Sequence, residues 1–169
     1  FITGNHELIS GVDPWVDHIR AGGITVLENE HRRIEHQGAT LNLVGIEDWD
    51  SARFHGTRQP NLGLALAGVD TEHTTILLAH QPKAVGEASL RGIDLQLSGH
   101  THGGQMAPFT WLVALDQPHR SGLYTLGPTQ LYVSEGTGYW GPPIRLGTRS
   151  ELTLLTLEAC RSNERRPHH

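Results

Sequence analysis

Short polar segments rich in histidine and glycine interrupt this sequence at residues 4–7, 80–82 and 99–105. Each of them directly follows an apolar stretch whose length and composition predict a buried β-strand. Predicted strands alternate with helices over the early part of the chain, and this alternation is typical of an α/β sheet with parallel strands. Because ligands bind beyond the carboxyl ends of parallel strands, we expect the three segments to converge on one site.

The spacing of apolar residues, glycines and prolines predicts an α/β fold with a mixed sheet, parallel early in the chain and antiparallel late. Helices are predicted at 10–22, 62–67 and 85–91, and a long polar loop at 47–60. Strands are predicted at 1–3, 24–27, 31–36, 40–46, 75–79, 93–98, 123–126, 131–134 and 151–157.

Composition excludes several classes of function. The net charge of −5 argues against a broad basic surface for nucleic acid. Cys160 is the single cysteine, which excludes an internal disulfide framework and a cysteine-rich zinc site. The longest apolar runs, such as 111–115, are too short to cross a bilayer. We therefore expect a soluble chain with no nucleic-acid surface and no membrane segment.

Four residues of the polar segments are candidate metal ligands. His100 and His102 are two positions apart between glycines, and in extended backbone both imidazoles would point to the same side. Taken singly, His80 is also explained as a satisfied histidine at a strand end, and Asn5 as a turn residue. Together they offer three imidazoles and one amide oxygen, a set that suits Zn, Mn or Fe better than Ca or Mg.

The order Gly-Asn-His-Glu, strand-end His and Gly-His-Thr-His resembles the calcineurin-like metallophosphoesterase superfamily. The longer Ser-Gly-His-Thr-His-Gly-Gly-Gln segment and the spacing of Pro143, Arg145 and Glu151 look like its bacterial, often membrane-anchored phosphohydrolase branch. The resemblance covers residues 4–157. It implies a four-layer α-β-β-α sandwich with mixed sheets, of which this chain is a portion. It also implies hydrolysis of a phosphomonoester, phosphodiester or pyrophosphate by a water activated between two divalent metal ions.

The resemblance implies a role for each matching residue. Asn5, His80 and His100 would bind one metal ion and His102 the other, the ions being Mn, Zn or Fe. His6 would not bind metal; it would lie beside the scissile phosphate and either give a proton to the leaving oxygen or stabilise the transition state. Glu7 would orient His6 and fix its tautomer.

The sequence departs from the family in lacking the Asp-x-His and Gly-Asp blocks that precede Gly-Asn-His-Glu. We therefore interpret residues 1–158 as the C-terminal half of the catalytic domain and 159–169 as a polar tail. Such a fragment would hold one metal ion or none and would be inactive alone. Its expected partners are the phosphoester substrate, the missing N-terminal half and, through an unpaired sheet edge, a second copy of itself. The parent protein would be cytoplasmic or anchored to a membrane through the missing part.

Some residues and functions stay open at this stage. The Asp48 carboxylate either faces the cleft, where it would meet substrate, or begins a solvated loop. Arg145 either binds a substrate phosphate or forms an ion pair with Glu151. Two other functions compete with the phosphoesterase: a non-catalytic metal-binding or interaction module, and a mononuclear zinc hydrolase with His80, His100 and His102 as its ligands.

Overall fold

The computed structural model describes residues 1–54, 58–106 and 118–158. The run at 111–115, Cys160 and the tail at 159–169 lie outside these ranges. The helices are α1 (Asn5–Ser10), α2 (Val12–Ala21), α3 (Ser51–Phe54), α4 (Leu62–Ala65) and α5 (Val85–Leu90), with short 3-10 helices at Pro82–Ala84 and His102–Gly104. The strands are β1 (Glu30–His36), β2 (Ala39–Gly45), β3 (Thr74–Leu78), β4 (Leu95–Ser98), β5 (Gly122–Leu126) and β6 (Thr129–Val133).

The six strands form one mixed sheet in the order β1-β2-β3-β4-β6-β5. The four central strands are parallel, and an antiparallel hairpin partner closes each edge. The β1–β2 hairpin turns through Gln37 and Gly38, which both have positive φ, the conformation that two-residue hairpin loops require. The carboxyl ends of the four parallel strands therefore meet at one edge of the sheet.

The two faces of the sheet differ in burial. On one face, Val44, Leu77, Gln96 and Leu131 lie side by side in register and are fully buried. Helices α4 and α5 cover this face and contribute Leu62, Ala65 and Ala88 to its core. The opposite face carries leucines that are only partly buried, at positions 41, 43, 78, 95 and 97. Each Å² of buried apolar area stabilises the folded state by about 25 cal/mol. Because the helix-covered face is the more deeply buried one, it contributes most of the stabilisation from the sheet.

The structure confirms the α/β class and the mixed sheet, but three predicted strands are wrong. No β-ladder forms between residues 1–3 and 24–27. The two segments share only backbone hydrogen bonds from the Phe1 amino group to the Thr25 carbonyl and from the Leu27 amide to the Phe1 carbonyl. Residues 151–157 also lie outside the ladders. Their contacts to the sheet are side-chain bonds from Tyr132 to Glu151 and Thr153.

Helices also differ from the prediction. Helix α1 was not predicted, and α3 interrupts the long loop predicted at 47–60. Helix α4 is shorter than predicted and begins after Asn61, whose side-chain oxygen accepts a hydrogen bond from the Leu64 amide. The described residues form a single sheet, so the two-sheet sandwich stays a prediction. Of the described helices, none combines the length and the apolar character needed to span a bilayer.

Candidate metal centre

Three side chains from distant parts of the sequence meet beyond the parallel strands. Asn5 is the first residue of α1, His80 follows β3, and His100 follows β4. The His80 Nε2 atom lies 3.0 Å from Asn5 Oδ1 and 3.2 Å from His100 Nδ1. His100 Nδ1 lies 3.3 Å from Asn5 Oδ1. These three atoms form a nearly equilateral triangle, which we call the ligand triangle.

The ligand triangle fits a divalent metal ion. Nitrogen and oxygen ligands bind zinc at about 2.0–2.2 Å, which places neighbouring ligands about 2.9–3.5 Å apart in tetrahedral or octahedral geometry. All three sides of the triangle lie within that range. Among the described residues, no group of three or more His, Cys, Asp or Glu side chains is arranged to hold a metal ion. The third donor of the ligand triangle is an asparagine oxygen.

Gly4 allows His80 to approach Asn5. A Cβ atom on Gly4 would lie 2.9 Å from both Cε1 and Nε2 of the His80 ring. Real Cβ atoms do not come this close to another heavy atom, so any other residue at position 4 would displace the imidazole. The glycine of the Gly-Asn-His-Glu segment is thus a steric requirement of the ligand triangle.

The backbone around His100 and His102 is left-handed rather than extended. The φ angles of His100 and His102 are 70° and 49°, and Gln105 has a φ of 51°. The expectation that extended backbone aligns the two imidazoles is therefore wrong. Such conformations cost about 1–3 kcal/mol for each non-glycine residue and persist where the surrounding structure holds them, commonly at functional sites.

Burial changes the proton affinity of the ligand triangle. Burial, assisted by the nearby charges of His102 and His6, lowers the pKa of His80 to about 4. Burial and the charge of His80 lower the pKa of His100 to about 4, against the opposing charges of Asp48 and Asp50. Both imidazoles are therefore neutral at pH 7, which is the state that a metal ligand must have.

These pKa values predict a loss of stability in acid. Unfolding returns both imidazoles to a pKa near 6.5, so between pH 6.5 and 4 the unfolded chain binds more protons than the folded chain. The free energy of unfolding should therefore fall as the pH drops through this range, by an amount on the order of 3 kcal/mol for each imidazole. Urea denaturation of the metal-free chain at pH 7.5 and at pH 4.5 measures this difference in the free energy of unfolding. The same acid sensitivity in the His80→Gln/His100→Gln variant would contradict the assignment.

His6 and His102 lie close to the ligand triangle without belonging to it. His6 is exposed, and its charge lowers the pKa of both His80 and His102. Burial and the charge of Arg145 also lower the pKa of His102. The structure thus brings together all five residues that the resemblance assigns to metal binding and proton donation.

Glu7 has a different partner from the one expected. Its Oε2 atom accepts a hydrogen bond of 2.7 Å from the Gly4 amide and so caps the first turn of α1. The hydrogen bond that the structure gives Glu7 is therefore to the backbone rather than to His6. Glu7 therefore supports the segment that carries Asn5 and His6, and its proposed effect on the His6 tautomer stays a prediction.

Asp48 is fully buried rather than part of a solvated loop. Its Oδ1 atom accepts hydrogen bonds from the Asp50 amide at 2.9 Å and from Gln81 Nε2 at 3.2 Å. Gln81 Nε2 also donates to Asp50 Oδ2 at 2.9 Å. Burial raises the pKa of Asp48, against hydrogen bonds and the charge of His100. Gln81 has no role predicted from the sequence, although its position directly after His80 was an available signal.

Arg145 and Glu151 do not pair with each other. The Arg145 guanidinium donates to backbone carbonyls, whereas Glu151 accepts hydrogen bonds from the Tyr132 hydroxyl and the Glu135 amide. The ion pair considered for these two residues is therefore wrong. Contact of Arg145 with a substrate phosphate stays a prediction.

Several known proteins are similar to this chain over most of its length. The chain is 43% identical over 159 residues to an uncharacterized metallophosphoesterase of Helicobacter pylori, covering 93% of this chain and 42% of the relative. It is 41% identical over 171 residues to a transmembrane protein with metallophosphoesterase domain of Bos taurus, and the match covers 95% of this chain and 38% of the relative. An uncharacterized metallophosphoesterase of Bacillus subtilis is 30% identical over 166 residues, and the match covers 94% of this chain and 55% of the relative. No family model and no solved structure matches the chain.

The chain belongs to the calcineurin-like metallophosphoesterase superfamily. These relatives are named metallophosphoesterases, which supports a family of metal-dependent phosphoester hydrolases. The chain spans about two fifths of the length of the relatives from Helicobacter pylori and Bos taurus.

Proposed function

We propose that this chain supplies one metal site and the proton donor of a phosphoesterase that uses two divalent metal ions. The observation that carries the proposal is the ligand triangle of Asn5, His80 and His100, whose sides of 3.0–3.3 Å match the spacing of ligands around one cation. His102 would serve a second cation. Mn, Zn and Fe suit this set of imidazole and amide donors.

Each residue has a separable task in this proposal. Two divalent cations, when bound, supply Lewis-acid polarisation of the phosphoryl group and a nucleophilic water at neutral pH. Asn5, His80 and His100 present one amide oxygen and two neutral imidazole nitrogens toward one position. His6, exposed beside them, holds a proton that can pass to the leaving oxygen as the phosphoester bond breaks.

Exposed apolar surface supports the proposal of a protein partner. Leu152 and Leu154 are 92% and 91% exposed, and one face of the sheet carries only partly buried leucines. Large apolar patches of this kind favour association. We propose that the rest of the full-length domain covers this surface and that the chain by itself associates with a second copy.

Metal removal tests the proposed function. Dialysis of the full-length protein against a chelator should abolish hydrolysis of chromogenic phosphomonoesters and phosphodiesters and of pyrophosphate, and Mn²⁺ or Zn²⁺ should restore it. The loss is expected because the phosphoryl charge and the attacking water both depend on the cations. The substrate that is restored identifies the class of phosphoester. Hydrolysis that survives complete metal removal would contradict the proposal.

A further inference from the structure

The loop at residues 134–150 lies against His102, two residues after the ligand His100. Arg145 Nη1 donates to the His102 carbonyl at 3.3 Å, and Arg145 Nη2 lies 3.3 Å from Nδ1 of the His102 ring. The same Nη2 atom donates to the Gly138 carbonyl at 2.6 Å. A single nitrogen atom therefore separates the Gly138 carbonyl from the His102 ring, which places this part of the loop beside the metal centre.

A buried glutamine holds the next part of the loop. Gln105 is fully buried, and both polar atoms of its side chain bind loop backbone. Its Nε2 atom donates to the carbonyls of Trp140 at 2.8 Å and Pro142 at 3.2 Å, and its Oε1 atom accepts from the Trp140 amide at 2.7 Å. Breaking such bonds would leave buried polar groups unpaired, which costs about 1–3 kcal/mol for each group. The backbone on both sides of Tyr139 is therefore fixed.

Large apolar side chains stay exposed on this fixed backbone. Tyr139 and Trp140 are 57% and 39% exposed, and Ile144 and Leu146 of the same loop are also exposed. Single exposed apolar residues are normal on a protein surface, whereas a group of them marks an interaction site. Ligand sites in general combine aromatic and aliphatic walls with a few polar groups that fix orientation. The position of Tyr139 and Trp140, next to the metal centre, fits such a wall.

The charge on the loop indicates what kind of ligand group it would accept. Residues 136–148 contain one charged side chain, Arg145. Its guanidinium donates to the carbonyls of Glu135, Gly138 and Arg149, so its charge is directed toward the loop backbone. A charged ligand group would lose hydration against the aromatic side chains and gain little in return. The loop therefore favours an apolar ligand group.

We propose that Tyr139 and Trp140 form a specificity surface for the organic group of the substrate, and that this group is apolar, either an alkyl chain or an aromatic ring. The inference deepens the proposed function and rests on it, because the phosphoryl group would lie at the metal centre while the loop contacts the rest of the substrate. Aromatic side chains bind alkyl chains through burial of apolar area and bind rings through offset stacking as well.

Phosphonates test this proposal, because their carbon–phosphorus bond is not a phosphoester bond and the ligand stays intact. Titration calorimetry of the Mn²⁺-loaded full-length protein compares methylphosphonate, hexylphosphonate and phenylphosphonate. Hexylphosphonate should bind about 10–100-fold more tightly than methylphosphonate, since each buried methylene adds about fourfold and an open surface covers about half of the added chain. Tighter binding of hexylphosphonate than of phenylphosphonate assigns an alkyl chain, and the reverse order assigns an aromatic ring.

The variant Tyr139→Ser/Trp140→Ser should lose most of the difference in affinity between hexylphosphonate and methylphosphonate. The bonds from Gln105 reach the backbone of Trp140, so they do not depend on its side chain. Leu90→Ser is the control, because Leu90 is an exposed apolar residue that ends α5 before β4 begins, and it should leave the difference unchanged. If the double variant does not fold, Tyr139→Ser decides by the same comparison.

Two results would overturn the proposal and leave the metal centre in place: equal binding of methylphosphonate and the two larger phosphonates, or an undiminished difference in the serine variant. Failure of the proposed function looks different, because methylphosphonate would then not bind to the Mn²⁺-loaded protein. Binding of hexylphosphonate that disappears in the serine variant would, in that case, still support the specificity surface. Absence of binding by all three phosphonates would contradict both proposals.

Discussion

The His6→Ala variant of the full-length enzyme is expected to lose about two to four powers of ten in kcat while its metal content stays unchanged. His6 is exposed beside the centre, and its ring is not part of the ligand triangle. Its removal therefore takes away a proton donor and leaves the cation ligands in place. Steady-state kinetics and elemental analysis of the same samples measure both quantities.

The control for this experiment is His36→Ala, which removes an exposed imidazole from the end of β1 and should change neither quantity. Substrates with better leaving groups offer a second check, because they need less protonation and should narrow the gap between His6→Ala and wild type. Loss of metal in His6→Ala would show that His6 is a metal ligand. An unchanged kcat would show that His6 does not donate the proton.

The second large effect concerns metal affinity. His80→Ala and His100→Ala should each weaken Zn²⁺ or Mn²⁺ binding by more than 100-fold, since changes to groups that merely orient a ligand already cost about 10–100-fold. Asn5 allows a matched pair of variants. Asn5→Asp keeps an oxygen in place and should retain the metal, whereas the nearly isosteric Asn5→Leu should lose it.

Competition with a chromogenic chelator measures these affinities. His73→Ala is the control, because His73 faces Asp70 at 3.5 Å and lies at the opposite end of β3 from His80. Equal affinity in wild type and in His80→Ala/His100→Ala would show that the ligand triangle does not hold the metal.

Much of the fold follows from local sequence patterns. The β1–β2 hairpin is predictable because a Gln-Gly turn separates two runs of strand-forming residues, and the structure places both strands within a residue or two of the prediction. The convergence of His80 and His100 also follows from the sequence, since parallel strands deliver their carboxyl ends to one edge. The strand predicted before Asn5 is wrong, so the position of Asn5 does not follow from this rule.

Other features depend on contacts that the sequence does not display. Residues 151–157 have the alternation of a strand, but a strand needs a neighbouring backbone to pair with, and alternation alone does not supply one. The positive φ of His100 and His102 is rare for residues other than glycine, so the pattern favoured extended backbone. The low pKa of His80 arises from burial, which only the packed structure reveals.

The contacts of the Arg145 side chain also could not be predicted from the sequence. A lone arginine near a predicted phosphoesterase site suggests phosphate binding, because guanidinium groups bind phosphates well. The structure surrounds it with backbone carbonyls of its own loop and of His102, and its contact with a substrate phosphate stays a prediction. Which acceptors surround an arginine depends on the path of the loop, and the Gly/Pro-rich segment at 136–147 does not encode that path in any simple pattern.

The most direct test of the account is anomalous diffraction at the zinc edge from crystals of this chain soaked in Zn²⁺. The variant should carry His168→Ala/His169→Ala, so that the terminal histidine pair does not compete for metal. We expect one strong peak about 2.0–2.2 Å from Asn5 Oδ1, His80 Nε2 and His100 Nδ1. A peak that contacts other histidines and leaves these three atoms unligated would contradict it, as would a zinc-saturated crystal with no peak at the ligand triangle.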